Sequence, residues 1–170
     1  FDNGFKILNG PDAPDLVIQE MKNELIFYLE NNQSSNNYKE EYEEVDATIG
    51  LNIKDALMSS YQNSNETHTM VADDGDLVGM FGVSKTADPL IAVVWMLCTE
   101  RLPQYSKTFI KLSKQWVKEQ NKKYSILMNY VDARNITSIK WLKHLGFVLI
   151  NRVEKFGVGK KPFYEFVRIN

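Results

Sequence analysis

Apolar residues in the last third of the chain recur first at strand spacing and then at helix spacing. Residues 125–131 form a short, mostly apolar run. The next apolar positions take a spacing typical of one helix face: Ile136, Ile139, Leu142 and Leu145. Asn135 can cap the start of this helix through its side-chain oxygen, and Gly146 suits a left-handed residue after its end. With the apolar residues 147–150 following, the pattern predicts a short helix that joins two strands and lies on their sheet.

The N-terminal part of the chain shows the same alternation of strand and helix patterns. Residues 5–8 predict a first strand, and apolar positions between residues 17 and 29 predict a long amphipathic helix. Asn52 can cap a second helix with Ala56 and Leu57 on its inner side. Residues 31–46 are polar and locally acidic, so we expect a mobile surface loop. An acidic lid or a partner-binding segment is the alternative interpretation.

A hairpin and a central strand are expected in the middle of the chain. Two strand runs, 69–72 and 77–83, flank an Asp-Gly turn, which is a strong hairpin signal. Residues 90–99 are apolar throughout, as expected for a strand buried on both faces. Cys98 in this strand is interpreted as a small core residue, because no histidine partner for a nucleophile is indicated.

A helix and a closing hairpin complete the pattern. The helix is predicted to carry its apolar residues inward: Phe109, Leu112, Trp116 and Val117. Residues 151–161 are interpreted as a glycine-bearing connection, and residues 163–169 as a strand antiparallel to the one that begins at Phe147.

Composition limits the class of protein. The chain has 170 residues, of which 44% are hydrophobic, and this suits one globular domain over residues 1–170. A net charge of −2 gives no general electrostatic reason to bind nucleic acid or an anionic membrane. No apolar run is long enough to span a bilayer and no signal-peptide pattern is present, so we expect a soluble, intracellular protein. One cysteine excludes an internal disulfide, and with two histidines, of which His144 is expected at the surface, no metal site is expected.

The segment with Asn135, Ser138, Gly146 and Phe147 resembles the end of the GNAT (GCN5-related N-acetyltransferase) fold, and the order of predicted elements is similar to the order in that family. The resemblance implies an α/β single-domain fold with a mixed central sheet flanked by helices. Leu142 stands where the family commonly has a tyrosine that protonates the leaving thiolate of coenzyme A. Leucine has no proton to give.

The resemblance also implies where acetyl-coenzyme A would bind. Its pyrophosphate would lie on the amides at the start of the helix that follows the central strand. Arg101 fills the family's Arg or Gln position, whereas Gln104 and Ser106 replace the family's small residues, and Pro103 removes an amide donor. The implied cofactor residues are Thr99, Arg101, Gln104, Tyr105, Ser106, Lys107, Asn135 and Ser138. Two interpretations remain: a modified coenzyme A site, or a retained fold that has lost its cofactor.

A narrower resemblance rests on residues 94–99, 127–131, 141–147 and 163–168 together. These segments are similar to those of GNAT-like internal virion or virion-assembly proteins of short-tailed, T7-like bacteriophages. The resemblance implies virion proteins as partners and a location in the cytoplasm of an infected bacterium or in the virion. The first functional hypothesis is therefore a non-catalytic or cofactor-degenerate virion-assembly protein. The alternative is an acyl-coenzyme A-dependent N-acetyltransferase acting on an unidentified amine, with Glu100 or a water in proton transfer.

Overall fold

The computed structural model describes residues 5–9, 53–75, 77–99 and 101–170. The predicted helix between residues 17 and 29, the predicted loop 31–46 and Asn52 lie outside these ranges. The strands are β1 (Phe5–Asn9), β2 (Glu66–Ala72), β3 (Leu77–Lys85), β4 (Ile91–Cys98), β5 (Ile126–Asp132), β6 (Val148–Phe156) and β7 (Lys161–Ile169). The described helices are α1 (Ile53–Asn63), α2 (Ser106–Lys123) and α3 (Ile136–His144), with a 3-10 turn over Leu102–Tyr105 before α2. None of the helices in these ranges is long and apolar enough to cross a membrane.

All seven described strands form one mixed sheet in the order β1-β2-β3-β4-β5-β7-β6. Strands β4 and β5 are parallel, and every other neighbouring pair is antiparallel. A strand–helix–strand crossover from the run at Leu90 to the run at Ser125 predicts that these two runs are adjacent and parallel. This prediction is confirmed, because Ile91 pairs in parallel with Ile126. The α/β fold class with a mixed central sheet is confirmed as well.

Helices cover both faces of the sheet. On one face, Leu57 of α1 packs on Met80 and Leu97. On the other face, α2 and α3 cover β4, β5 and β7 through Val117 and Ile139, among other residues. Alternation along each strand produces this division, since successive side chains point to opposite faces. We call these the α1 face and the α2–α3 face.

The caps of α3 are as predicted, but one residue of its apolar face is not. Asn135 Oδ1 accepts a hydrogen bond of 3.1 Å from the Ser138 amide, and Gly146 has a φ of +89°. Ile139 is buried, whereas Ile136 is 52% exposed, so the expectation that Ile136 faces the sheet is wrong. A strict three-residue spacing drifts by about 60° per step around a helix of 3.6 residues per turn. Ile136 therefore lies about 60° from Ile139 and about 120° from Leu142 around the helix, at the edge of the apolar face.

The C-terminal hairpin is longer than predicted, because β6 continues to Phe156 and only residues 157–160 connect it to β7. Val153 pairs with Phe163, and the Phe156 ring stacks 4.4 Å from the ring of Tyr130. Strand β6 lies at the edge of the sheet, where charged residues prevent pairing with other chains. Because β6 carries such residues, its sequence lacks a clear strand pattern. The interpretation of residues 151–156 as a connection is therefore wrong.

Candidate functional site

The central opening of the sheet lies between β4 and β5. The two strands pair over three positions, from Ile91–Ile126 to Val93–Met128. At the next position the side chain of Asn129 stands between the strands: its Nδ2 donates to the Val94 carbonyl at 2.8 Å, and its Oδ1 accepts from the Tyr130 amide at 2.8 Å. A carboxamide thus replaces a direct bond between the two backbones, and the strands separate beyond it.

A cavity of about 280 Å³ occupies this opening. Its lining includes Val94 and Met96, which face α2 and α3, and Trp95 and Leu97, which belong to the α1 face. Because residues from both faces line it, the cavity reaches through the sheet where β4 and β5 separate. No described side chain that lines it carries a formal charge.

Helix α3 contributes three of the residues singled out from the sequence. Asn135, Ser138 and Leu142 all line the cavity. Asn135 is 4% exposed, and its Oδ1 is used in capping α3. Leu142 packs with the core of the α2–α3 face, so this part of the cavity wall offers an alkyl group and no proton donor.

The turn before α2 uses its amides internally. The Leu102 amide donates to the Thr99 carbonyl at 3.2 Å, and the Gln104 amide donates to the Arg101 carbonyl at 3.1 Å. The Ser106 amide donates to the Pro103 carbonyl, and Pro103 itself has no N–H. An anion site at a helix start requires several amides that point at the ligand. These three amides point at carbonyl oxygens of the same segment instead.

Arg101 is held by the turn of the β2–β3 hairpin. Its guanidinium donates to both carboxylate oxygens of Asp74, at 3.1 and 2.9 Å, and to the Tyr105 hydroxyl at 2.9 Å. The planar fork of an arginine fits a carboxylate in this two-bond geometry. A phosphate that approached Arg101 would therefore compete with Asp74 for the same guanidinium.

The remaining implied cofactor residues are not gathered at the cavity. The Thr99 hydroxyl is buried and donates to the Leu77 carbonyl at 2.9 Å, while Gln104 and Lys107 are exposed. No described residue between Thr99 and Lys107 lines the cavity, so the predicted set divides into this turn and the Asn135–Ser138 pair. Glu100 lies outside the described residues.

Sequence patterns did not reveal a polar cluster on the α2–α3 face of β2. Glu66 Oε1 lies 2.7 Å from His68 Nε2, 3.2 Å from Trp116 Nε1 and 3.0 Å from Gln120 Nε2. Lys123 Nζ donates to Glu66 Oε2 at 3.0 Å. Partial burial raises the pKa of Glu66, but hydrogen bonds from His68, Lys123 and Trp116 outweigh it and lower the pKa from 4.5 to about 2. The carboxylate is therefore ionised at neutral pH.

The proton positions in this cluster follow from its distances. A carboxylate only accepts, so the 2.7 Å contact requires a proton on His68 Nε2. The Trp116 N–H then donates to Glu66 rather than to that nitrogen, although both lie 3.2 Å away. Two buried atoms in the cluster, His68 Nδ1 and Gln120 Oε1, have no hydrogen-bond partner among the described residues. Strand alternation places Glu66 and His68 on the same face as Met70, and this alternation could have indicated the cluster from the sequence. It was missed because the predicted strand began only at residue 69.

The described residues contain no group of three or more His, Cys, Asp and Glu side chains that could hold a metal ion.

The architecture and the opening between β4 and β5 define the class of fold. A GNAT-family acetyltransferase from Bacillus anthracis superposes on 98% of this chain and 96% of its own, with a TM-score of 0.66 at 10% identity. Ard1 from Thermoplasma volcanium gives a TM-score of 0.64 at 15% identity, over 98% of this chain and 97% of its own. A Bacillus subtilis acetyltransferase in complex with CoA gives 0.61 at 13% identity, over 98% of this chain and 99% of its own.

This chain thus has the fold of the GNAT acetyltransferases. Identities this low show the fold alone. No protein-family model and no curated protein matches the sequence.

Proposed function

We propose that this chain is a GNAT-fold protein with a degenerate cofactor site, which serves a T7-like bacteriophage as a non-catalytic virion-assembly or internal virion protein. The observation that carries the loss of the cofactor is the turn before α2. Its amides at Leu102, Gln104 and Ser106 donate to carbonyl groups of the same segment, and Arg101 is paired with Asp74. The phage assignment is supported by the sequence resemblance described above.

The cofactor part of the proposal is tested by thermal unfolding with acetyl-coenzyme A. A ligand at about 100 times its dissociation constant stabilises a native protein by about 2.7 kcal/mol, which for a chain of this size raises the melting temperature by roughly 5–10 °C. We expect no resolvable shift for the natural protein. The double variant Gln104→Gly, Ser106→Gly restores the family's small residues and should bind more strongly, if the turn can then open toward the phosphate. Gln115→Gly makes the same type of substitution at an exposed position of α2 outside the turn, and should show no change in the response to acetyl-coenzyme A.

The phage part of the proposal needs a separate experiment. Mass spectrometry of purified particles of the phage that encodes the chain should detect it in a fixed number of copies per virion, or detect it in assembly intermediates. Its absence from both would contradict the assembly role whatever the cofactor result.

One observation favours the alternative, an acyl-coenzyme A-dependent N-acetyltransferase. Strands β4 and β5 separate after three pairs and leave a cavity at the centre of the sheet, where a thioester and an amine could be held together. If that function were present, amine-dependent release of coenzyme A from acetyl-coenzyme A would be measurable with the natural protein. Under the proposal no release occurs, and Leu142→Tyr, which supplies the missing phenol, does not create it.

A further inference from the structure

The walls of the cavity have a chemistry that does not depend on the phage role or on a nucleotide cofactor. Aromatic rings dominate the α2–α3 side: Phe81 meets Trp116 edge-on at 5.0 Å between centroids, and Phe109 lies 5.2 Å from Trp141. The polar side chains that line the cavity, apart from these rings, are neutral amides and hydroxyls, such as Asn129 and Ser113. The described lining therefore offers ring faces and neutral hydrogen-bonding groups.

Charge separates ligands that this cavity can take from those that it cannot. An anion moved out of water needs a cation or several amides to replace its hydration. No described lysine or arginine lines the cavity, including Arg101 and Lys107 of the predicted cofactor turn, and Arg101 is paired with Asp74. A carboxylate or phosphate buried against these described residues would lose its hydration without such replacement, whereas a neutral apolar molecule would lose only unfavourable contact with water.

The volume sets the size of the ligand. An engineered apolar cavity of about 150 Å³ in another protein stays dry and binds benzene. The cavity here measures about 280 Å³, which is room for roughly two fused six-membered rings. Indole and phenyl walls pack best against a flat ring, edge to face or offset.

The Trp116 side chain, which forms part of the cavity wall, is fixed by its contacts with the polar cluster on β2. Its N–H donates to Glu66, which is itself fixed by Gln120 and Lys123, and its ring meets His68 edge-on at 6.0 Å. The ring therefore cannot turn into the cavity without breaking a bond to a carboxylate. Such support keeps the cavity open in the absence of ligand and lowers the cost of ordering on binding.

We propose that the cavity between β4 and β5 binds a neutral, flat, largely apolar molecule about the size of two fused six-membered rings. This inference goes beyond the proposed function, because it assigns a ligand class to a part of the molecule that the assembly role does not use.

The test compares naphthalene with 2-naphthoate, which has the same rings and one negative charge. All three tryptophans of the chain, Trp95, Trp116 and Trp141, line the cavity, so their indole N–H signals in NMR spectra report on it directly. Naphthalene should shift these signals saturably, with 2-naphthoate binding at least tenfold more weakly by a rough estimate from its lost hydration. Absence of saturable shifts with naphthalene would overturn the proposal, as would equal affinity for the two molecules.

Filling the cavity provides the second arm of the test. Ser113→Leu adds an alkyl group to a lining residue of α2, and should weaken naphthalene binding by roughly tenfold or more, as single-methylene misfits do in apolar pockets. Ser125→Leu makes the same change at an exposed residue outside the lining and should leave binding unchanged. If Ser113→Leu does not fold, Val94→Phe fills the cavity from β4. Unaltered naphthalene affinity in a folded, filled variant would show that the site lies elsewhere.

The two proposals fail separately. Tight binding of acetyl-coenzyme A would contradict the loss of the cofactor, whereas the naphthalene titration is made without acetyl-coenzyme A and its result is independent of that outcome. A missing naphthalene response would overturn the cavity inference and leave the thermal-shift result unchanged.

Discussion

The polar cluster on β2 makes a quantitative prediction for Glu66→Gln. The pKa of Glu66 falls from 4.5 to about 2 on folding, a difference equivalent to about 3 kcal/mol of stabilisation. The side chain is 28% exposed, and screening by solvent reduces this figure, so we expect a loss of roughly 2 kcal/mol at pH 7. Glutamine keeps one oxygen, but its NH₂ group must face donors that the carboxylate had satisfied, either Lys123 or the donors that bond Oε1 in the natural protein. Two donors that face each other cannot form a hydrogen bond.

The sign of the pH dependence follows from the direction of the pKa shift. A carboxylate with a lowered folded pKa contributes stability that is complete above its unfolded pKa, here 4.5, and that is lost as pH falls through the folded value of about 2. The difference between the natural protein and Glu66→Gln should therefore be constant from pH 7 to about 5 and shrink between pH 4.5 and 2.

Urea unfolding followed by tryptophan fluorescence measures this difference at each pH. Glu119→Gln is the matched control, because Glu119 is paired with Lys122 on the exposed side of α2 and should change stability by no more than about 0.5 kcal/mol. If Glu66→Gln lost the same free energy at pH 3 as at pH 7, or no more than the control, the carboxylate would not be held by these hydrogen bonds.

Three further predictions concern packing and the backbone. Trp116→Ala should destabilise the protein by roughly 3 kcal/mol, since the half-buried ring packs on Phe81. Trp116→Phe should cost about 1 kcal/mol for the lost hydrogen bond to Glu66. Denaturant unfolding measures both losses, and equal losses would mean that the ring makes no packing contribution. Gly146→Ala should lower the free energy of unfolding more than Gly75→Ala does. Both glycines have positive φ, but only at Gly146 would an added Cβ meet another residue, Arg168 Nε at 3.2 Å. Calorimetric melting that ranks the two variants in the reverse order would contradict this prediction. Asn129→Leu should destabilise by roughly 2 kcal/mol and expose the Tyr130 amide to hydrogen exchange, and a protected amide in that variant would refute the bridging role.

The segment around α3 was predictable from the sequence because its signals are local. Asn135 and Gly146 mark the two ends of the helix within a dozen or so residues, and cap chemistry depends little on the rest of the chain. The separation of β4 from β5 was not predictable, since it depends on one side chain, Asn129, reaching a carbonyl on another strand. The end of β6 was missed because an edge strand with charged residues lacks a clear apolar alternation.

In the candidate site, too, only features that depend on neighbouring residues in the sequence could be predicted. The turn before α2 could be questioned from Pro103 and Gln104 alone, because these residues act on their own backbone. The pairing of Arg101 with Asp74 could not be foreseen, because the two residues are 27 positions apart. The same holds for Glu66 and Trp116, which are 50 positions apart and meet only when α2 packs on the sheet.

The central claim is that the turn before α2 does not hold a pyrophosphate, and titration calorimetry with acetyl-coenzyme A tests it most directly. The account predicts no saturable heat for the natural protein at ligand concentrations up to about 1 mM, a limit that corresponds to binding weaker than about −4 kcal/mol. Asp74→Ala, which removes the carboxylate bound to Arg101 while leaving the amides bonded within the turn, should bind only weakly. A one-to-one complex of the natural protein with a dissociation constant in the low micromolar range would contradict the claim, and would show that the turn opens to accept the cofactor.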